Sequence, residues 1–243
     1  MIAAGVETGF TVDVGALGTV PATAYAAADP TGITFLFAPG AGAPRTHPFM
    51  VGMSRLLAAR GVDVVTFDFL YATAGRRMPD PAGKLEAAYS AMIGAVRARS
   101  PLDALFVGGK SMGGRIASQV VAAMSTPTSA IRGLIFLGYP LSPPGKATST
   151  PKGRPPRAVP ERFRHLLGLS LPRFFAQGER DPFGGERELA PLVARLRMRS
   201  VLHVVEHGDH SLHVPRRFGV DAEIHAAVAD AIVAFCNKAG RRR

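Results

Sequence analysis

The chain of 243 residues contains no tryptophan and one cysteine, Cys236. A single cysteine excludes an internal disulfide. The first ten residues, MIAAGVETGF, lack both a basic segment and a long apolar run, so they do not resemble a secretory signal peptide. No stretch approaches the roughly 20 apolar residues of a membrane-spanning helix. These absences predict a cytoplasmic protein with no membrane partner.

Nucleic-acid-binding motifs are also missing, although the formal net charge is +11. A basic chain can bind phosphates. However, arginine greatly outnumbers lysine, and alanine, glycine and proline are abundant, a pattern that coding-DNA base composition alone can produce. The positive charge is concentrated only at residues 145–173 and in the tail 239–243. A nucleic-acid partner is therefore not expected, and nothing in the sequence indicates an oligomeric state.

Short apolar runs alternate with helical patterns along a chain that is 47% hydrophobic. This length suits a single α/β domain spanning 1–243. The runs have near-continuous apolar content, which suits a parallel sheet covered on both faces. The predicted buried strands are 33–38, 62–67, 104–109, 131–138, 173–178 and 201–206.

Five helices are predicted between and after these strands. They cover residues 47–60, 82–99, 112–124, 185–198 and 221–238. Two weaker strands, near 10–14 and 20–26, predict an N-terminal hairpin. The alternation predicts an α/β fold with a doubly wound, mostly parallel sheet. The Pro-rich, basic segment 139–172 is too short for a large cap domain, and a short helix near 160–167 is the most we expect from it.

The stretch VGGKSMGGR, residues 107–115, allows two interpretations. A phosphate-binding loop, G-x-x-x-x-G-K-[ST], would place its first glycine at position 104. That position is Ala104, and residues 104–107 are predicted strand, so this interpretation fails. The alternative is G-x-S-x-G, which requires a strand, a sharp turn at the serine and a helix. The context supplies all three, and Ser111 is therefore the candidate nucleophile.

Two further side chains follow later strands in the order Ser, acid, His that such a fold requires. Asp181 follows the strand 173–178, and His210 follows the strand 201–206. His210 would take the serine proton, and Asp181 would orient the imidazole. The backbone N–H groups of Met112 and Ala41 are the predicted oxyanion-hole donors.

Six blocks in one order carry a resemblance to a known family: FAPGAGAPRTHPFM, GRRMPDP, GGKSMGGRIAS, GYPLSPPGK, QGERDPFG and GDHSL. The chain resembles the α/β-hydrolase superfamily near dienelactone-hydrolase-like proteins. It is most similar to the group with a testis-expressed hydrolase-like protein and the hydrolase-like domain of a chromatin-complex subunit. The resemblance implies Ser111, Asp181 and His210 as a catalytic triad. Pro39 departs from it, because such proteins usually carry histidine before the glycine turn.

Other roles for these residues remain open at this point. Asp181 precedes a proline and could simply begin a turn. His207 is the alternative base, whereas His203 lies within a predicted strand. The histidine-rich stretch 203–213 could suggest a metal, but it lacks the spacing of a helical zinc motif, so no metal is expected. Lys110 is predicted to be a solvated flank of the turn.

The sequence thus predicts a serine hydrolase that cleaves a small-molecule carboxylic ester or thioester without a cofactor. The alternative is a hydrolase-like interaction domain with little activity. Four side chains could line an acyl pocket: Phe49, Tyr71, Tyr139 and Leu141. With no cap, we expect a shallow, open site. The basic segment either overhangs Ser111 and favours anionic substrates or is a solvated loop without a role; its cations are Lys146, Lys152, Arg154, Arg157, Arg162 and Arg164.

Overall fold

The computed structural model describes residues 5–101, 103–124, 131–143, 158–196 and 198–240. Its strands are β1 (Glu7–Asp13), β2 (Thr19–Tyr25), β3 (Ile33–Ala38), β4 (Val62–Phe67), β5 (Ala104–Lys110), β6 (Ile131–Leu137), β7 (Arg173–Gly178) and β8 (Ser200–Val205). Its α-helices are α1 (Pro48–Ala58), α2 (Leu70–Thr73), α3 (Ala82–Arg99), α4 (Met112–Ala123), α5 (Glu161–Arg164), α6 (Glu186–Val193) and α7 (Asp221–Gly240). Short 3-10 turns cover Gly15–Leu17, His165–Gly168 and Arg216–Phe218.

The strands form one sheet in the order β1-β2-β4-β3-β5-β6-β7-β8. β1 and β2 form an antiparallel hairpin, β2 pairs antiparallel with β4, and the remaining pairs are parallel. The predicted doubly wound, mostly parallel sheet is therefore confirmed. β6 ends at Leu137 and β7 begins at Arg173, so the connection is too short for a large cap domain, as predicted.

Helices cover both faces of the sheet and bury two apolar clusters. The strand β3 shows why its apolar run is continuous. Leu36 packs on the face covered by α3, α4 and α6, while Phe35 and Phe37 pack on the face covered by α1 and α7. All three side chains are fully buried. A strand between two helical layers has no polar face, which is the physical basis of the sequence pattern.

Most predicted boundaries match the structure within a few residues, and the main difference is α6. The helix predicted over 185–198 ends at Val193. The next backbone bonds, Arg195 to Leu192 and Leu196 to Val193, span three residues, so the helix tightens into a turn before β8. The one-turn helix α2 was not predicted, because four residues carry no helical periodicity.

The segment 139–172 contains a short helix where one was expected. α5 covers Glu161–Arg164, and a 3-10 turn, His165–Gly168, continues it. Phe163 and Leu166 are fully buried and attach this helical segment to the core. Of the predicted basic residues, Lys146, Lys152, Arg154 and Arg157 lie outside the described residues. Within the described ranges, no helix is long and apolar enough to cross a bilayer.

Candidate active site

Ser111 lies in the turn between β5 and α4. Its backbone has φ +49° and ψ −114°, a conformation that residues with a side chain adopt rarely. Its N–H donates to the carbonyl of Leu137 over 3.0 Å, which ties the turn to β6. Such a strained strand-to-helix turn presents the hydroxyl at the carboxyl edge of the sheet.

The glycines on either side of Ser111 allow β5 and α4 to approach the chain that follows β3. A Cβ at Gly109 would lie 2.5 Å from the carbonyl oxygen of Ala38, and a Cβ at Gly113 would lie at the same distance from that oxygen. Neither approach is sterically possible for a residue with a side chain. The close packing brings the turn at Gly40 beside Ser111, since a Cβ at Gly40 would contact the Ser111 Cβ at 3.6 Å.

Asp181 and His210 meet Ser111 in one hydrogen-bonded chain. Asp181 follows β7 and His210 follows β8, so both lie at the carboxyl edge of the sheet. His210 Nε2 is 2.8 Å from Ser111 Oγ, and His210 Nδ1 is 2.7 Å from Asp181 Oδ2. The structure therefore brings together the three side chains that the sequence predicted as a triad.

The Asp181 side chain is fully buried, and donors surround it. Its Oδ2 accepts a hydrogen bond from Gln177 Nε2 over 2.7 Å in addition to that from His210. Its Oδ1 accepts from the backbone N–H of Phe183 over 2.8 Å. These contacts orient the carboxylate toward His210, and buried donors of this kind offset the cost of removing a carboxylate from water.

Lys110 holds the loop that carries His210. Its ammonium donates to the carbonyl oxygen of His210 over 2.5 Å. Burial lowers the Lys110 pKa to about 8, although Asp181 and Asp209 act in the opposite direction. Lys110 is therefore not the solvated flank that the sequence predicted. The Phe183 ring also packs edge-on against His210, with ring centroids 4.6 Å apart.

The other histidines of this region have different partners. The Nδ1 atom of His207, the alternative base, lies 2.9 Å from Arg180 Nη2, and the His207 ring packs on the Phe218 ring. His203 lies in β8 and stacks on Phe174. His213 Nδ1 contacts a carboxylate oxygen of Asp221. Across the described ranges, no group of three or more His, Cys, Asp or Glu side chains is arranged to hold a metal ion.

A cavity of about 210 Å³ opens beside Ser111. Both residues predicted for the oxyanion hole, Met112 and Ala41, line it. Apolar side chains from α3 and polar side chains from α4 and the α5 segment complete its wall. The lining residues are Ala41, Pro79, Asp80, Ala82, Leu85, Ser111, Met112, Arg115, Pro140, Ser142, Arg162 and Phe183.

The four side chains predicted to line an acyl pocket are not among those that line this cavity. Tyr71 is fully buried, and its hydroxyl accepts a hydrogen bond from the N–H of Gly42 over 3.0 Å, so it supports the turn that carries Ala41. Tyr139 and Leu141 are buried in the core cluster beneath α3 and α4. Phe49 packs edge-on against a histidine of α7 on the opposite face of the sheet. Side-chain direction after each strand, which the sequence pattern does not encode, accounts for these positions.

Three residues of the site were not identified from the sequence. Gln177 is an amide that directly follows the apolar residues Phe174, Phe175 and Ala176, and this polar position in β7 was the available signal. Arg115 lies one helical turn after Ser111, a spacing that places it on the same side of α4. Asp80 is buried beside the cavity, where its Oδ1 accepts from Arg76 over 2.7 Å. Acidic residues are common just before helices, so only the tertiary position of Asp80 beside the cavity distinguishes it.

The sheet order and the Ser111 turn together define an α/β-hydrolase type of fold. Residues 31–237 match the model of the alpha/beta hydrolase domain family, and the chain belongs to that family.

Several solved structures have a similar fold. An alpha-beta serine hydrolase homologue from Coxiella burnetii has a TM-score of 0.71 at 15% identity, covering 93% of this chain and 96% of its own. A dienelactone hydrolase from Anabaena variabilis has a TM-score of 0.71 at 14% identity, covering 98% and 99%. A Xanthomonas campestris protein, described as a serine hydrolase without a lid, has a TM-score of 0.68 at 16% identity, covering 96% and 94%. At these identities the likeness establishes the fold alone.

Proposed function

We propose that this protein is a serine hydrolase that cleaves a small carboxylic ester or thioester through an acyl-enzyme on Ser111. The observation that carries this proposal is the hydrogen-bonded chain from Ser111 Oγ through His210 to Asp181. With Asp181 as a carboxylate, His210 Nδ1 carries a hydrogen, and Nε2 is left to accept the serine proton. The assignment of Ser111 as nucleophile, His210 as base and Asp181 as orienting acid follows from these roles.

In the first half-reaction, Ser111 Oγ attacks the carbonyl carbon as its proton moves to His210 Nε2. The carbonyl oxygen becomes an oxyanion, for which the N–H groups of Met112 and Ala41 are the proposed donors, since both residues line the cavity. The tetrahedral intermediate then collapses. The bond to the leaving alcohol or thiol breaks, and the leaving group takes the proton from His210.

In the second half-reaction, water replaces the alcohol. His210 Nε2 takes a proton from the water molecule as the water oxygen attacks the acyl carbon. The bond between that carbon and Ser111 Oγ then breaks. Ser111 regains its proton from His210, and the carboxylic acid leaves. Oxidation states do not change and the protons balance, so the proposed cycle requires no cofactor.

The size of the cavity supports a small substrate. At about 210 Å³ it is below the roughly 300–1,000 Å³ of pockets that enclose drug-sized ligands. Leu85 and Met112 contribute apolar surface beside Ser111. We therefore propose short acyl groups as substrates, as the absence of a large cap domain also suggests.

The descriptions of the Coxiella protein as a serine hydrolase homologue and of the Xanthomonas protein as a serine hydrolase support the reaction class. Within the family, we propose that the chain is related to the group with the testis-expressed hydrolase-like protein, because the six sequence blocks resemble that group. The continuous sheet from Glu7 to Val205 supports a single domain. We also propose a cytoplasmic location and no nucleic-acid partner.

Labelling with a fluorophosphonate probe tests the proposed function, because the probe reacts with an activated serine. We expect covalent labelling that mass spectrometry maps to Ser111 and that the variant Ser111→Ala abolishes. Wild-type protein should also hydrolyse a 4-nitrophenyl ester of a short acid. If the folded protein shows neither labelling nor hydrolysis, the hydrolase-like interaction domain becomes the better description.

A further inference from the structure

The cavity beside Ser111 contains two guanidinium groups. Arg115 comes from α4 and Arg162 from α5, and both line the cavity. Burial lowers the pKa of Arg162, and the nearby positive charge of Arg115 lowers it further. Two like charges held close together in a partly buried place repel each other, and an anion between them would relieve that repulsion.

Arg115 is positioned by the same turn that presents Ser111. Its backbone N–H donates to the Ser111 carbonyl over 3.2 Å, in the first turn of α4. Its Nη1 donates to Gln119 over 2.8 Å, and its Nε is buried with no hydrogen-bond partner among the described residues. Four residues of helix rise about 6 Å, so the Arg115 backbone lies about one helical turn from Ser111, and both residues line the same cavity.

Three hydrogen bonds hold Arg162 and the α5 segment in place. The Tyr139 hydroxyl donates to the Arg162 carbonyl over 2.5 Å. The neighbouring His165 makes a 2.8 Å hydrogen bond with Ser118 of α4, which joins the α5 segment to the helix that carries Arg115. Arg162 Nη1 donates to the carbonyl of Ser142 over 3.2 Å. Its position is therefore built into the fold.

The acids near the cavity do not neutralise these two arginines. Asp80 also lines the cavity; its Oδ1 pairs with Arg76, and its Oδ2 is buried with no hydrogen-bond partner among the described residues. Among the residues that the structure describes, no carboxylate lies within ion-pair distance of Arg115 or Arg162. A guanidinium presents a planar set of donors that matches a carboxylate, so two unpaired guanidinium groups beside a nucleophile form a receptor for an anionic substrate group.

We propose that the substrate carries a carboxylate within a few atoms of the scissile carbonyl, and that Arg115 and Arg162 bind this carboxylate. The inference rests on the proposed function, because it names the substrate class of the same site. The sequence had suggested that the basic segment 139–172 favours anionic substrates. Here the preference for an anion is assigned to two residues that line the cavity, and one of them, Arg115, lies on α4. The proposed substrate is a short ester with one carboxylate, which belongs to either the acyl part or the alcohol part of the ester.

Matched substrate pairs test the inference and distinguish the two sources of the carboxylate. The acyl pair is the 4-nitrophenyl monoester of glutaric acid and 4-nitrophenyl glutaramate, in which an amide replaces the carboxylate. The alcohol pair is 4-acetoxybenzoate and 4-acetoxybenzamide. After subtraction of the uncatalysed rates, we expect kcat/KM to be about tenfold or more higher for the anionic member of at least one pair, with a smaller advantage at high salt.

The variants Arg115→Gln and Arg162→Gln should each reduce this advantage about tenfold or more, because each removes a charged donor pair. Arg164→Gln is the matched control. Arg164 lies on the same segment, is largely exposed and pairs with Glu161, so its variant should keep the advantage. If a glutamine variant does not fold, the lysine variant keeps the charge but loses the two-donor geometry, and it should reduce the advantage partly.

Equal kcat/KM values within both pairs would overturn the inference, as would an advantage that survives both glutamine substitutions. In either case, hydrolysis of the neutral esters would still support the proposed function. If no ester is cleaved and Ser111 is not labelled, the proposed function fails instead. Calorimetric binding of glutarate then decides the anion site. Binding weakened by Arg115→Gln and Arg162→Gln but not by Arg164→Gln supports it, whereas unchanged or undetectable binding overturns it.

Discussion

The Ser111 turn and the loops that carry Asp181 and His210 are held in place by different means. The turn depends on two glycines that each lie two residues from Ser111, because a Cβ at Gly109 or Gly113 would meet the carbonyl oxygen of Ala38. The two loops depend on partners that are far apart in sequence. His210, for example, contacts Lys110 through its carbonyl and Ser111 through its imidazole, each about a hundred residues away.

This difference has consequences for mutation. A change at the turn meets backbone atoms that cannot move without disturbing the sheet. A change in a loop contact removes a hydrogen bond and leaves the sheet intact, so the loop can shift by a small amount. We therefore expect turn variants to lose stability and loop variants to lose catalytic geometry.

The largest effect should come from His210→Ala, which removes the base from the loop. We expect kcat on a 4-nitrophenyl ester to fall about 10³-fold or more with little change in folding. His207→Ala is the matched control, because His207 faces Arg180 and Phe218. If His207→Ala abolishes hydrolysis while His210→Ala retains it, the assignment of the base is wrong.

The turn should respond to Gly109→Ala with a loss of stability. The new Cβ would lie 2.5 Å from the Ala38 carbonyl, so we expect the free energy of unfolding to fall by about 3 kcal/mol or more. Gly94→Ala is the control, since Gly94 is exposed in α3 with open space around its Cβ position. There, alanine should stabilise the helix by about 0.5–1 kcal/mol. Urea unfolding measures both, and equal effects would refute the packing argument.

The acid loop should respond to Gln177→Met with a loss of rate. This variant removes the amide that donates to Asp181 and to the Gly184 carbonyl. We expect kcat to fall about 10- to 100-fold while KM changes little, because a hydrogen bond to a charged group contributes about 1.5–3 kcal/mol. The thermal midpoint is measured in parallel. A lower midpoint with unchanged kcat would show that Gln177 only stabilises the fold.

The smallest effect should be the pH dependence caused by Lys110. Its pKa in the folded protein is about 8, below the ordinary 10.5, so the unfolded chain binds more protons between these values. The stability of the wild type should therefore rise with pH from about 8 to 10.5, relative to Lys110→Met, by on the order of 1 kcal/mol after allowance for solvent screening.

Urea unfolding at several pH values across this window checks the Lys110 prediction. Lys84→Met, which removes a solvent-exposed ammonium from α3, controls for the loss of charge alone. Parallel profiles for the wild type and Lys110→Met would show that burial does not perturb the Lys110 ammonium.

Features that depend on residues close in sequence could be predicted from the sequence, whereas features that depend on contacts between distant residues could not. Strands β3, β4 and β7 were predicted to the residue, because a strand buried on both faces is a mostly apolar run without a polar face. The candidate triad was predicted from the order in which its residues follow three strands. The four acyl-pocket residues were predicted from the same kind of position, and none of them lines the cavity beside Ser111. Tyr71, Tyr139 and Leu141 follow strands as the triad residues do, yet their side chains point into the core.

Local sequence is sufficient for the elements, their order and the turn at Ser111, because apolar periodicity and glycine spacing act over a few residues. Tertiary packing alone decides which side chains share the cavity. Arg115 and Arg162 come from separate elements, and a hydrogen bond between Ser118 and His165 joins the segments that carry them. Gln177 contacts Asp181 only because β7 and the following turn fold against each other. Such contacts depend on side-chain direction and on the packing of distant segments, for which a single sequence has no periodic signal.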